Sequence, residues 1–106
     1  MATFNGAEGE MINPETAKRW VENYQRREPA GVKAEYFGGD KIKELLSQEG
    51  CVGIRIYYAN DDFEGWRMIL VGVDKDGRNL GPIAGDGKGL LLNNGLPCPP
   101  VCPPKE

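Results

Sequence analysis

The run Trp66-Arg-Met-Ile-Leu-Val-Gly-Val73 constrains this chain more than any other segment, because it is apolar on both of its sides. With the two-residue period of a strand, Trp66, Met68 and Leu70 point one way and Ile69, Val71 and Val73 the other. Neither face suits water. Just before it, Val52, Ile54, Ile56 and Tyr58 alternate with Gly53, Arg55, Tyr57 and Ala59, a second strand signature. Asn60-Asp-Asp-Phe-Glu-Gly65 joins the two runs with turn residues at both ends, so they predict an antiparallel hairpin over about 51–59 and 66–73. A chain of 106 residues has room for one modest core. Whatever covers the hairpin must come from its helices, its tail or another chain.

Two helices are legible upstream. Residues 1–11 are polar, glycine-containing and without period, and read as a flexible lead. Asn13-Pro14-Glu15 is a strong helix start: Asn accepts free N–H groups, Pro fits the first turn and Glu suits the positive helix end. Ala17, Trp20, Val21 and Tyr24 then form one apolar stripe, predicting a helix to about Arg27 with Trp20 at the centre of its packed face. Val32 to Phe37 reads either as a short strand or as an irregular packed segment. After Gly38-Gly39, with Asp40 as N-cap, the stripe Ile42, Leu45, Leu46 predicts a short helix near 41–48 that stops before Gly50.

Residues 12–80 therefore read as a single α+β domain, two helices packed on a small antiparallel sheet. The remaining 26 residues, 81–106, hold five Gly and six Pro and read as an extended tail, docked or disordered. Two helices cover only one face of a sheet. The face carrying Ile69, Val71 and Val73, with Tyr57 beside it, is therefore the expected interface, closed by a second chain or by residues 89–101.

Candidate chemistry is sparse. Histidine is absent, which removes the usual general base and the usual metal ligand. Asp61, Asp62 and Glu64 read as solvated turn formers rather than catalytic carboxylates. Asp74-Lys-Asp-Gly-Arg-Asn79 supplies oxygens, yet its glycine is fourth where a calcium loop needs it sixth, so a tight turn with Gly77 at positive φ is expected. Gly85-Asp-Gly-Lys-Gly89 lacks the Ser or Thr and the following helix of a phosphate loop. Thirteen Lys and Arg against sixteen Asp and Glu give a net charge of -3, which argues against a nucleic-acid footprint. No run is long and apolar enough to insert in a membrane and no leader is evident, so the expected compartment is the cytoplasm. Cys51 reads as a buried small hydrophobe. Cys98 and Cys102 leave three readings open: incidental thiols, a disulfide within or between chains, or half of a soft-metal site completed by a second chain.

The segments Glu49-Gly-Cys-Val-Gly-Ile-Arg-Ile-Tyr-Tyr58, Leu70-Val-Gly-Val-Asp74 and Pro97-Cys-Pro-Pro-Val-Cys102, with Trp20, Phe37-Gly38 and Leu45-Leu46, resemble a group of small uncharacterised bacterial proteins of Bacteroidota type. The likeness spans roughly residues 12–102 and implies no established activity. By elimination, the expected function is non-enzymatic: protein–protein interaction or assembly, with a protein partner or a homo-oligomer, no cofactor and no catalytic residue. The alternative is a small-molecule or soft-metal-binding regulator that uses Cys98 and Cys102.

Overall fold

The computed structural model describes residues 3–63, 65–84 and 87–104. Its elements run α1 (Pro14–Arg27), β1 (Ala34–Tyr36), α2 (Gly39–Leu46), β2 (Gly53–Asn60), β3 (Trp66–Val73), β4 (Leu91–Leu92) and β5 (Leu96–Cys98). The fold is α+β, with two helices and two small antiparallel sheets, β2-β3-β4 and β1-β5.

The hairpin forms where the alternation places it, in a register from Gly53 opposite Val73 to Asn60 opposite Trp66. Its first strand begins at Gly53, two residues later than expected. The tip is tied by Asp61, whose carboxylate accepts the Phe63 and Gly65 N–H groups at 2.9 and 2.8 Å while its own N–H donates to the Gly65 carbonyl. At the far end Asp74 closes a turn on Asp76 and Arg78, and Gly77 has φ +82. A side chain is disfavoured there by sterics alone.

β3 is the spine of the molecule. Leu70, Val71 and Val73 are buried, each worth roughly 1.5–3 kcal/mol against exposure. The tail supplies the missing neighbour: β4 pairs Leu92 with Leu70 and Leu91 with Val71, and Asn79 forms a bridge opposite Val73. α2 packs against the sheet with Leu45 only 1% exposed, and Gln48 just after it lies on the Leu70 side, where a methyl group at Gly72 would meet it. The helix starts at Gly39, with Gly38 as N-cap and Asp40 inside the first turn, two residues earlier than expected. Gln48 then joins this helix to the tail, donating to the Leu45 carbonyl at 2.9 Å and accepting the Leu90 N–H at 2.8 Å.

The ambiguous 32–37 segment is a strand over three residues, and its partner is β5 in the tail, with Ala34 opposite Cys98 and Tyr36 opposite Leu96. Glu35 couples this small sheet to the large one by accepting the Met68 N–H at 3.2 Å, a donor on the stretch of β3 that β4 does not reach. In the N-terminal lead, Phe4 is anchored: its N–H donates to the Lys75 carbonyl at 2.7 Å and its ring lies against Gly77.

α1 departs most from expectation. Its start is as read, with the Asn13 side chain accepting from Glu15 and Thr16 and Pro14 in the first turn. Its apolar stripe, however, does not pack: no residue of α1 is buried, and Trp20 is 59% exposed. The stripe was expected to cover the sheet. Instead the helix end is held by its own linker, through Tyr24 Oη donating to the Val32 carbonyl and Gly31 N–H donating to Glu28.

Candidate interaction surfaces

Residues directly opposite in an antiparallel pair share a face. The Ile69, Val71, Val73 face therefore also carries Tyr57, Arg55 and Gly53. It is apolar on one strand and half polar on the other. The chain itself closes it: Val71 is 0% exposed, and a methyl group at Gly81 would meet both Val71 and Leu91. Ile69 and Tyr57 are half-buried. Of the two expected covers for Ile69, Val71, Val73 and Tyr57, a second chain or the tail, the chain's own residues are the one seen. The covering segment is 79–84 with Leu91, starting upstream of the 89–101 expected.

A polar cluster that sequence reasoning missed holds this cover down. Arg55 Nη1 donates to Asn79 Oδ1 at 2.6 Å and to the Gly77 carbonyl at 3.1 Å. Asn79 Nδ2 donates to Tyr57 Oη and to the Ile83 carbonyl, both at 2.8 Å. Arg55 also lies 5.9 Å from the centroid of the Phe4 ring. The available signal was Arg55 itself: a cation on the inward side of a strand must find oxygen acceptors. Its acceptors lie 22 and 24 residues away, beyond any local pattern.

The other candidate sites resolve into structural parts. Asp61, with Arg67 3.5 Å away, is a turn former whose carboxyl is held below the ordinary range, first by the Gly65 N–H, then by that of Phe63, with a contribution from Arg67. Asp62 is exposed, and Glu64 lies outside the described residues. Asp74 spends its Oδ1 on two backbone N–H groups of its own turn. Of the glycine-rich run, 85 and 86 lie outside the described residues; side chains at Gly87 and Gly89 would collide with the Leu80 carbonyl, so those glycines answer to packing. A cleft of about 890 Å³ lies beside them, but the polar groups of Arg55, Asp74 and Asn79 on its wall are already engaged within the chain. Among the described residues, no group of three or more His, Cys, Asp or Glu is placed to hold a metal ion, and no helix is long and apolar enough to cross a membrane.

Cys98 and Cys102 are joined in a disulfide, and Cys51 is a half-buried free thiol whose Sγ donates to the Gly53 carbonyl at 3.3 Å. The bridge closes a short loop at the end of β5, where the Val101 N–H donates to the Pro97 carbonyl at 2.9 Å. Ala34, Tyr36, Leu96, Val101 and Pro103, with Glu35 among them, line an open and largely apolar groove of about 380 Å³ around the bridge.

Besides that groove, two further apolar surfaces among the described residues are exposed. One is the α1 stripe of Trp20, Val21 and Tyr24. The other is the distal end of the Leu70 side of the sheet, where Ile56 is half exposed, Tyr58 is 77% exposed and the Tyr58 and Trp66 rings stack 6.1 Å apart. α2 packs against β2 and β3 and leaves Ile56 and Tyr58 exposed.

No family model matches the chain, and neither a curated protein nor a solved structure matches it.

Proposed function

We propose that the protein is a non-enzymatic protein–protein interaction or assembly subunit, and that α1 makes the contact. One observation carries this reading: α1 is an amphipathic helix with none of its residues buried. An isolated 14-residue helix is marginal in water, and most helical stability comes from packing of the apolar face. A stripe of Trp, Val and Tyr left in solvent therefore suits a surface that another protein completes. Photo-crosslinking from position 21 in the native cell tests it: discrete protein adducts are expected from Val21 and not from exposed Lys43 on α2. A ladder as weak at 21 as at 43 would remove the reading.

A second reading is favoured by the groove around the disulfide, whose volume lies within the range of small-ligand sites. In that reading a small apolar ligand is bound and sensed. A metal is a poorer occupant, since disulfide sulfurs offer no thiolate. The bridge also bears on location: such bonds persist in oxidising compartments, which supports one of those over the cytoplasm expected from the sequence.

A further inference from the structure

Building on the reading of α1 as the contact element, we propose that its occupant is a second copy of this chain, with α1 of each protomer lying on the open Ile56, Tyr58, Trp66 end of the other protomer's sheet. The two unpartnered surfaces are complementary in kind. One is a helix stripe lacking a sheet, and the other is a sheet face lacking a helix, the layer pairing that small α+β folds complete.

Three observations favour exchange between copies. First, the end of α1 is tied to its own linker and none of its residues is buried: Tyr24 Oη bonds to Val32, Gly31 bonds back to Glu28, and a methyl group at Gly31 would sit 3.2 Å from Glu28 Cβ. Second, charge is divided. α1 carries Lys18, Arg19, Arg26 and Arg27 against Glu15 and Glu22, a net +2, so the rest of a chain of net -3 carries -5. A basic helix is drawn to the acidic body of another copy. Third, a single contact is small. A helix of 14 residues is about 21 Å long, and stable interfaces bury at least roughly 1,200 Å², which favours using the contact twice. Reciprocal exchange under two-fold symmetry uses that contact twice and covers both the α1 stripe and the Ile56, Tyr58, Trp66 end.

The test combines solution mass with site-directed cross-linking. Sedimentation of the wild type from 5 to 500 μM is expected to show a monomer–dimer equilibrium, weakened at least tenfold by Trp20→Ala and by Tyr58→Ala. Both positions are exposed in the monomer, and circular dichroism confirms that the variants fold. In a Cys51→Ser background, mixing Val21→Cys protein with Tyr58→Cys protein and adding a short bis-maleimide is expected to yield a covalent heterodimer. A wild type that is monomeric at 500 μM overturns the proposal. So does a Val21→Cys, Tyr58→Cys double variant that cross-links only within one chain, which would mean α1 folds back on its own sheet. A homodimer through Val21→Cys alone, with none in the mixture, means helix-on-helix pairing and overturns it too. If purified protein stays monomeric while photo-crosslinking from position 21 captures a different protein, the exchange fails and the reading of α1 as a contact surface stands.

Discussion

Arg55 on β2 and Asn79 in the segment after β3 meet at 2.6 Å, and that bond places the chain's own tail over the inner face of its sheet. Without an acceptor there, Arg55 would be a half-buried cation beside fully buried Val71. Asn79 serves Arg55 as acceptor and Tyr57 and Ile83 as donor, so one side chain satisfies three groups.

Asn79→Ala is therefore expected to cost about 1–3 kcal/mol in chemical denaturation, because it strands partly buried donors and acceptors. Deleting residues 81–106 removes β4, β5 and the Leu91 cover together, and is expected to give aggregating protein rather than a soluble monomer.

Trp20 and Leu45 are expected to separate sharply in the same assay at low micromolar concentration. Leu45 is 1% exposed, and Leu45→Ala should lose roughly 2–5 kcal/mol through cavity formation. Trp20→Ala should lose less than about 1 kcal/mol, as a surface change does. A large loss at Trp20 would mean the helix is packed within the monomer.

Asp61 sets an acid limit on the hairpin tip. Its folded-state pKa is depressed by the Gly65 and Phe63 N–H groups, so its contribution is fully present above the unfolded carboxylate value of about 3.9 and is lost as pH falls through the depressed value. Denaturation curves between pH 7 and pH 2 should lose stability at the acid end, and Asp61→Asn should flatten that part of the profile. An unchanged slope in the variant would contradict the turn geometry.

Cys98→Ser with Cys102→Ser should loosen β5 from β1. A bridge closing so short a loop is worth about 2 kcal/mol in the chain-entropy account. Amide exchange at Lys33, whose N–H donates to the Cys98 carbonyl, should speed up while exchange in β2 and β3 stays slow. Thiol labelling of protein quenched directly from cells should count one reactive cysteine, Cys51, if the bridge holds in place; three would return the pair to the reduced reading.

How much of this was legible follows from the range of the interactions. The hairpin, the Asn13 cap, the Gly77 turn and the α2 stripe rest on neighbours within a few residues, and the sequence patterns located them to within about two positions. The closure of the sheet rests on Arg55 to Asn79, Gln48 to Leu90 and Glu35 to Met68, contacts separated by 24, 42 and 33 residues. No local pattern encodes those. Periodicity also names a helix's apolar face without saying what meets it, which is why α1 was legible as a helix and misplaced as core.

The inner sheet face is closed within the chain, and α1 is proposed as the face left for another protein. Hydroxyl-radical footprinting of the protein at low micromolar concentration, and again in its native complex, tests this most directly by comparing oxidation of Trp20 with that of Val71. Val71 is expected to be protected in both states, and Trp20 to be oxidised in the dilute protein and protected in the complex. Val71 oxidised in dilute protein and protected only in the complex, with Trp20 equally reactive in both, would contradict this and return the interface to the sheet.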